Sequence, residues 1–144
     1  MNIADIISKS AVLDNVQTAS KRELVQSLSE RIAALSGLDE RAVFDAVWER
    51  ENLGSTGYGA FPHARIEGLE KVCGMFARLE EPVDFDSLDG KPVDLVFMLI
   101  SPENSGADHL TALAALSRIL KTEGSCDKLR KARSTDEIYA ILNA

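Results

Sequence analysis

The chain has 144 residues, 45% of them apolar and 27% charged, with a formal net charge of −7. That is enough apolar sequence for one hydrophobic core, and residues 1–144 read as a single domain. The acidic balance works against nucleic acid as a partner, because polyanion affinity rests on neutralising phosphates with Lys and Arg. Membrane insertion is excluded on the same footing: the longest apolar run, Val93 to Ile100, is broken by Asp94 and stopped by Ser101-Pro102. Asp5 stands where a secretory signal would carry positive charge, and no long apolar region follows it, so a cytoplasmic protein is expected. Cys73 and Cys126 form no C-x-x-C pair and read as reduced thiols.

Leu24, Val25, Leu28, Ile32 and Leu35 recur with the helical period, and Ser20-Lys21-Arg22-Glu23 ahead of them fits a capping box. This predicts an amphipathic helix ending near Gly37. Asp39 can cap a second helix with Val43, Phe44, Val47 and Trp48 on its inner face, running to about Asn52. From Gly54 to Ile66 the sequence is irregular or extended, with three glycines and a proline. Val72 to Leu79 and Val93 to Ile100 read as buried strands separated by turn residues. After Pro102 the helical pattern returns, with Ser105 as cap, Leu110, Leu113, Ala114, Leu116 and Leu120 inward, and Gly124 as the stop. Ser134 opens a last short helix with Ile138, Tyr139, Ile141 and Leu142. Helices before, between and after strands imply an α/β layered domain, a mixed sheet with helices on both faces. The basic stretch Arg118, Lys121, Lys128, Arg130, Lys131 and Arg133 reads as a solvated helix surface, or else as a docking face for an acidic partner.

Chemistry concentrates at the two histidines. His63 follows Pro62 in a glycine-bearing loop that also carries Arg65. Proline fixes its own φ and can hold a neighbouring side chain, while glycines let backbone N–H groups approach an anion. A neutral imidazole is nucleophilic and needs no separate base to accept a phosphoryl group. His109 falls in the first turn of its helix, where the positive end of the dipole disfavours imidazolium and attracts oxyanions. The bland readings are an exposed structural His63 and an ordinary surface His109. Nucleotide binding by Gly54-Ser55-Thr56-Gly57-Tyr58-Gly59 lacks both the G-x-G-x-x-G spacing and a G-K-[ST] ending. A zinc site from His63, His109 and Asp108 lacks local ligand spacing, so neither metal nor cofactor is expected.

Three segments taken together carry a family resemblance: Arg50-Glu51-Asn52-Leu53-Gly54-Ser55-Thr56-Gly57, then Phe61-Pro62-His63-Ala64-Arg65-Ile66, then Gly106-Ala107-Asp108-His109-Leu110. Their residues and order resemble the enzyme IIA component, fructose/mannitol and nitrogen-regulatory type, of the bacterial phosphoenolpyruvate-dependent phosphotransferase system. The resemblance implies that His63 takes a phosphoryl group on Nε2 from a phosphohistidine carrier protein. It also implies that Arg50 and His109 line the pocket, with Ser55, Thr56, Gly57 and Arg65 as further phosphate-binding candidates. It points to the stand-alone nitrogen-regulatory branch, with regulated kinases or transporters downstream; a sugar-specific transport subunit is the alternative within the family. One departure falls at the site: only Tyr58, Gly59, Ala60 and Phe61 separate Gly57 from Pro62, fewer than the family pattern has. That motivates a second reading, a partner-binding regulatory module that keeps the fold without the transfer.

Overall fold

The computed structural model describes residues 1–53, 60–86 and 90–144. Four strands build its sheet: β1 (Val12–Val16), β2 (His63–Ile66), β3 (Cys73–Val83) and β4 (Val93–Pro102), in the spatial order β1-β3-β4-β2. The antiparallel centre is β3 against β4, while β1 runs parallel to β3 and β2 parallel to β4. The two apolar runs of the sequence are the central strands, each longer than its run. The edge strands β1 and β2 are additions to the sequence reading. They are short, and an edge strand is paired along one flank only, so neither needs a strong apolar alternation.

Every residue from Val96 to Ser101 is inaccessible to solvent, which requires cover on both faces of the sheet. One group of helices is α2 (Lys21–Ser36) and α3 (Glu40–Glu51), which pack on each other and reach the sheet at β3 and β2. The other is α4 (Ala107–Lys121), α5 (Ser125–Lys131) and α6 (Thr135–Leu142), linked in series from β4 to β1. The short α1 (Ile3–Ile6), not anticipated from the sequence, touches β3 and α4. At Gly74 it leaves no room for a side chain, since an added Cβ would lie 2.7 Å from the Ile6 side chain. The architecture is the α/β layering expected.

Ser20, Asp39 and Ser134 cap α2, α3 and α6 by accepting from the backbone N–H of Glu23, Ala42 and Glu137. Gly37 closes α2 in the left-handed region at φ 73°, which glycine adopts without steric cost. The capping of α4 differs from the expectation. Gly106, not Ser105, is its N-cap; the helix stops at Lys121, and Gly124 instead opens α5. Its buried face is also rotated from the expected one. His109, Ala112 and Leu116 point inward, while Leu110 and Ala114 face solvent. In α3, Val43 and Val47 are core, whereas Phe44 and Trp48 stack at the half-buried surface beneath the Arg22 guanidinium.

The far side of the molecule from β2 is tied by Arg78 of β3. Its Nε and Nη2 fork onto the Asp14 carboxylate at 2.7 Å each, and its Nη1 donates to the carbonyls of Leu129 at 2.9 Å, Arg130 at 3.3 Å and Ala132 at 2.6 Å. One guanidinium therefore satisfies a carboxylate on β1 and the open carbonyls at the end of α5. The parallel register slips between Leu13 and Val16, with Asn15 left-handed at φ 53°, and this bulge is where Asp14 turns to its partner. The basic stretch lies on the last turn of α4 and on α5, and within it Arg130 forks onto Asp94 of β4.

Both Arg78 and Asp14 are mostly buried. The Arg78 hydrogen bonds hold the Asp14 carboxyl below its ordinary 3.8, against the opposing effect of burial. A depressed carboxyl stabilises the fold above its ordinary value and loses that contribution as pH falls through the folded value. Arg78→Ala should therefore lower the unfolding free energy at neutral pH by about 3 kcal/mol. The deficit should shrink in acid as Asp14 of the wild type protonates. Urea denaturation at neutral and at acidic pH reads both, and an unchanged midpoint at neutral pH would refute the role given to Arg78.

Candidate functional site

The backbone before β2 is set by the edge of the sheet. The carbonyls of Ala60 and Pro62 accept from the N–H groups of Phe97 at 3.2 Å and Leu99 at 3.0 Å, so the chain is already laid along β4 when it reaches His63. Pro62 has no N–H to lose, which suits an edge position. Alternation along an extended chain then leaves the Phe61 carbonyl turned away from β4. That carbonyl lies 2.9 Å from Nδ1 of His63. A carbonyl can only accept, so Nδ1 carries the proton and Nε2 keeps the lone pair. The Phe61 ring meets the imidazole edge-on, with centroids 5.9 Å apart at 89°, and so restricts its rotation.

His63 and Arg65 are two residues apart on β2 and share one face, while Ala64 and Ile66 are buried on the other. The irregular or extended reading of residues 54–66 thus resolves at its end to the extended form, where residues 63–66 are a strand. Pairing of β2 with β4 sets His63 opposite Leu99 and Arg65 opposite Ser101. Both strands run in the same direction, and α4 starts just beyond β4. The first turn of α4 folds back on β4 at Ser101, beside the opening residue of β2, His63. The inward rotation of α4 brings His109 there, only 6% exposed, with its ring centroid 5.8 Å from that of His63 and the planes at 44°.

Burial pushes the His109 imidazole below its ordinary value, and the nearby charges of Arg65 and His63 push it the same way. The neutral form expected at a helix start is thus favoured, with desolvation the larger cause. The Nδ1 of His109 is 2.6 Å from Oγ of Ser101, a fully buried residue that sequence reading takes as the end of a strand and no more. A polar residue directly after the unbroken apolar run Leu95–Ile100 was the available signal. Arg50 lies half-buried in the last turn of α3, the helix packed on β2. Ser55, Thr56 and Gly57, the first two residues of the shortened link to Pro62 (Tyr58 and Gly59) and the glycine run considered for nucleotide lie outside the described residues. Among the described residues, no three His, Cys, Asp or Glu side chains converge as a metal site would require.

A pair of histidines brought together beside the edge strand of this sheet points to a class. The chain belongs to the EIIA 2 family of the phosphoenolpyruvate-dependent sugar phosphotransferase system, whose sequence profile matches residues 5–144. Within that family its place is the nitrogen-regulatory branch: it is 47% identical to a nitrogen regulatory protein of Bradyrhizobium diazoefficiens over 99% of this chain and 95% of that one. The crystal structure of nitrogen regulatory protein IIA-Ntr from Neisseria meningitidis superposes with a TM-score of 0.91 at 36% identity, covering 97% of this chain and 98% of that one. The fold alone is shared with the mannitol enzyme IIA of Escherichia coli in its complex with phosphorylated enzyme IIB, 20% identical with a TM-score of 0.75 over 94% of each chain.

A histidine whose folded value is depressed favours the fold above its ordinary 6.5 and loses that contribution as pH falls from there through the folded value. NMR titration of the two imidazoles should find His109 neutral well into the range where an ordinary histidine is charged. Unfolding free energy should fall over the same window, and His109→Asn should remove that part of the slope. A His109 midpoint at or above 6.5 would contradict the burial argument.

Proposed function

We propose that the chain is a cytoplasmic phosphoryl carrier that accepts a phosphoryl group on Nε2 of His63 from a phosphohistidine carrier protein, in nitrogen or carbon regulatory signalling. The observation that carries this reading is the bond between His63 Nδ1 and the Phe61 carbonyl, which leaves Nε2 as the free nucleophile beside a buried second imidazole. In the transfer, the lone pair on Nε2 forms the new N–P bond as the donor's N–P bond breaks and its electron pair returns to the donor ring. The proton on Nδ1 stays where it is. The ring gains positive character, and its bond to the Phe61 carbonyl becomes charge-assisted.

Arg50 is assigned a forked contact to the phosphoryl oxygens, Arg65 a positive field on the same face as His63, and His109 a single N–H donor. Ser55, Thr56 and Gly57 are assigned hydroxyl and backbone donors. The start of α4 adds its dipole. Catalysis then comes from positioning and charge neutralisation, with no cofactor called for. Apolar contact surface for a docking carrier is offered by Leu110, 64% exposed beside His109, and by Leu53, 78% exposed just past α3. The complex of the mannitol relative with a phosphorylated enzyme IIB supports phosphoprotein partners of this kind. Kinases or transporters are the downstream partners in this reading.

Intact-mass spectrometry after incubation with phosphoenolpyruvate and the general phosphotransfer proteins tests it. One acid-labile phosphoryl group is expected on the wild type and none on His63→Ala. Arg50→Gln should slow uptake by about 100-fold, the usual loss when one oxyanion-stabilising contact is removed. Labelling that persists in His63→Ala removes His63 from the role. No labelling of any form leaves a partner-binding module that keeps the fold without the transfer.

A further inference from the structure

The proposed chemistry asks His109 for an N–H donor, and a neutral imidazole supplies one from Nε2 only if Nδ1 is the acceptor. Nδ1 has one partner, Oγ of Ser101 at 2.6 Å, and a hydroxyl can either donate or accept there. The surroundings of Ser101 decide the direction. Its side chain is fully buried on β4, and His109 is its one hydrogen-bond partner among the described residues. If it accepted from His109, its own proton would be buried with no acceptor. Such an orphaned donor costs more than an unused lone pair on the same oxygen. The hydroxyl therefore donates to Nδ1, and the imidazole proton sits on Nε2.

We propose that Ser101 is a positioning residue for phosphoryl transfer, holding buried His109 in the Nε2–H tautomer that can donate to a phosphoryl oxygen on His63. The inference rests on the function proposed above. Its geometric basis is the pairing of β2 with β4. Ser101 stands opposite Arg65 in that register, one residue past the last apolar side chain of the run, and the same strand order brings His63 and His109 together. The two histidines are then complementary. In His63 a backbone carbonyl keeps the proton on Nδ1 and frees Nε2 to attack, whereas in His109 a hydroxyl keeps Nδ1 as acceptor and turns Nε2 into a donor. In the opposite tautomer, the bare Nε2 lone pair of His109 would face the phosphoryl oxygens and repel them. No proton changes residence during the transfer, and atoms and charge balance as given for His63.

The experiment pairs a spectroscopic readout with a rate. Long-range proton–nitrogen NMR of histidine-labelled wild type, near neutral pH, is expected to show His109 protonated on Nε2 and His63 on Nδ1. Ser101→Ala should shift His109 toward the Nδ1–H form or a mixture and slow phosphoryl uptake from a phosphorylated histidine carrier by about tenfold or more. Ser101→Thr, which keeps the hydroxyl, should restore both the tautomer and the rate. Wild-type His109 found as Nδ1–H overturns the proposal without recourse to any variant. So does a Ser101→Ala protein that takes up phosphoryl at the wild-type rate. A wild type that takes up no phosphoryl overturns the functional reading beneath it, while the tautomer of His109 still decides separately whether Ser101 holds it.

Discussion

The site depends first on two ordinary sheet hydrogen bonds, those from Phe97 and Leu99 of β4 to the carbonyls of Ala60 and Pro62. They lay the chain along an open edge before His63 is reached, and an edge strand has a flank with no partner. In the middle of a sheet the Phe61 carbonyl would be consumed by a neighbouring strand. At the edge it is free, and it accepts a hydrogen bond from the His63 Nδ1–H. The same edge position tolerates Pro62, which could not donate to a ladder. Backbone pairing thus selects which imidazole nitrogen is left over.

The second constraint is the mixed direction of the strands. Because β2 and β4 run in parallel, their carboxyl ends open at one end of the sheet, where α4 begins, and β1 and β3 run as a pair of their own. The pair β1 and β3 is fastened to α5 by the Arg78 fork, so one edge of the sheet is braced by an ionic cluster while the other is left with an unpaired flank. The chain as a whole carries −7, yet the candidate site has Arg65 on the His63 face and a helix start beside it. Local charge counts for more than net charge here, since exposed charges beyond roughly 8 Å are largely screened at physiological salt.

The elements most legible in the sequence are those whose signal is local. Ser20, Asp39 and Ser134 announced their helices because a capping side chain acts on a backbone N–H three residues away. The runs in β3 and β4 announced themselves because a strand buried on both faces is mostly apolar, Arg78 and Asp94 being the exceptions. What sequence reading missed is set by tertiary packing. An apolar residue on a helix is read as inward, so Leu110 is expected in the core, while His109 is expected to line the phosphate pocket or, on the bland reading, to lie at the surface. The structure reverses the expectation for Leu110, leaving it to solvent, and buries His109, a polar ring that has a partner in Ser101. His63 and His109 stood out by their own settings, a proline-flanked loop and a first helical turn, whereas Arg50 could be picked out only through motif resemblance; that the two histidines meet is a matter of tertiary packing. Ser101 carried no motif, and its meaning comes from the residue facing it.

The burial of His109 has a chemical rationale. A charged imidazole at position 109 would repel Arg65 and need hydration that its buried setting denies, so the neutral ring is the form the packing favours. A neutral donor beside a phosphoryl group stabilises it less than an imidazolium would. The weaker hold matters for a carrier, because the group must leave as readily as it arrives, and a strong clamp on the phosphorylated state would be bound energy to be recovered at the next transfer. On the proposed function, burying His109 therefore tunes His63 toward reversible loading, with the arginines supplying charge and the second histidine supplying direction.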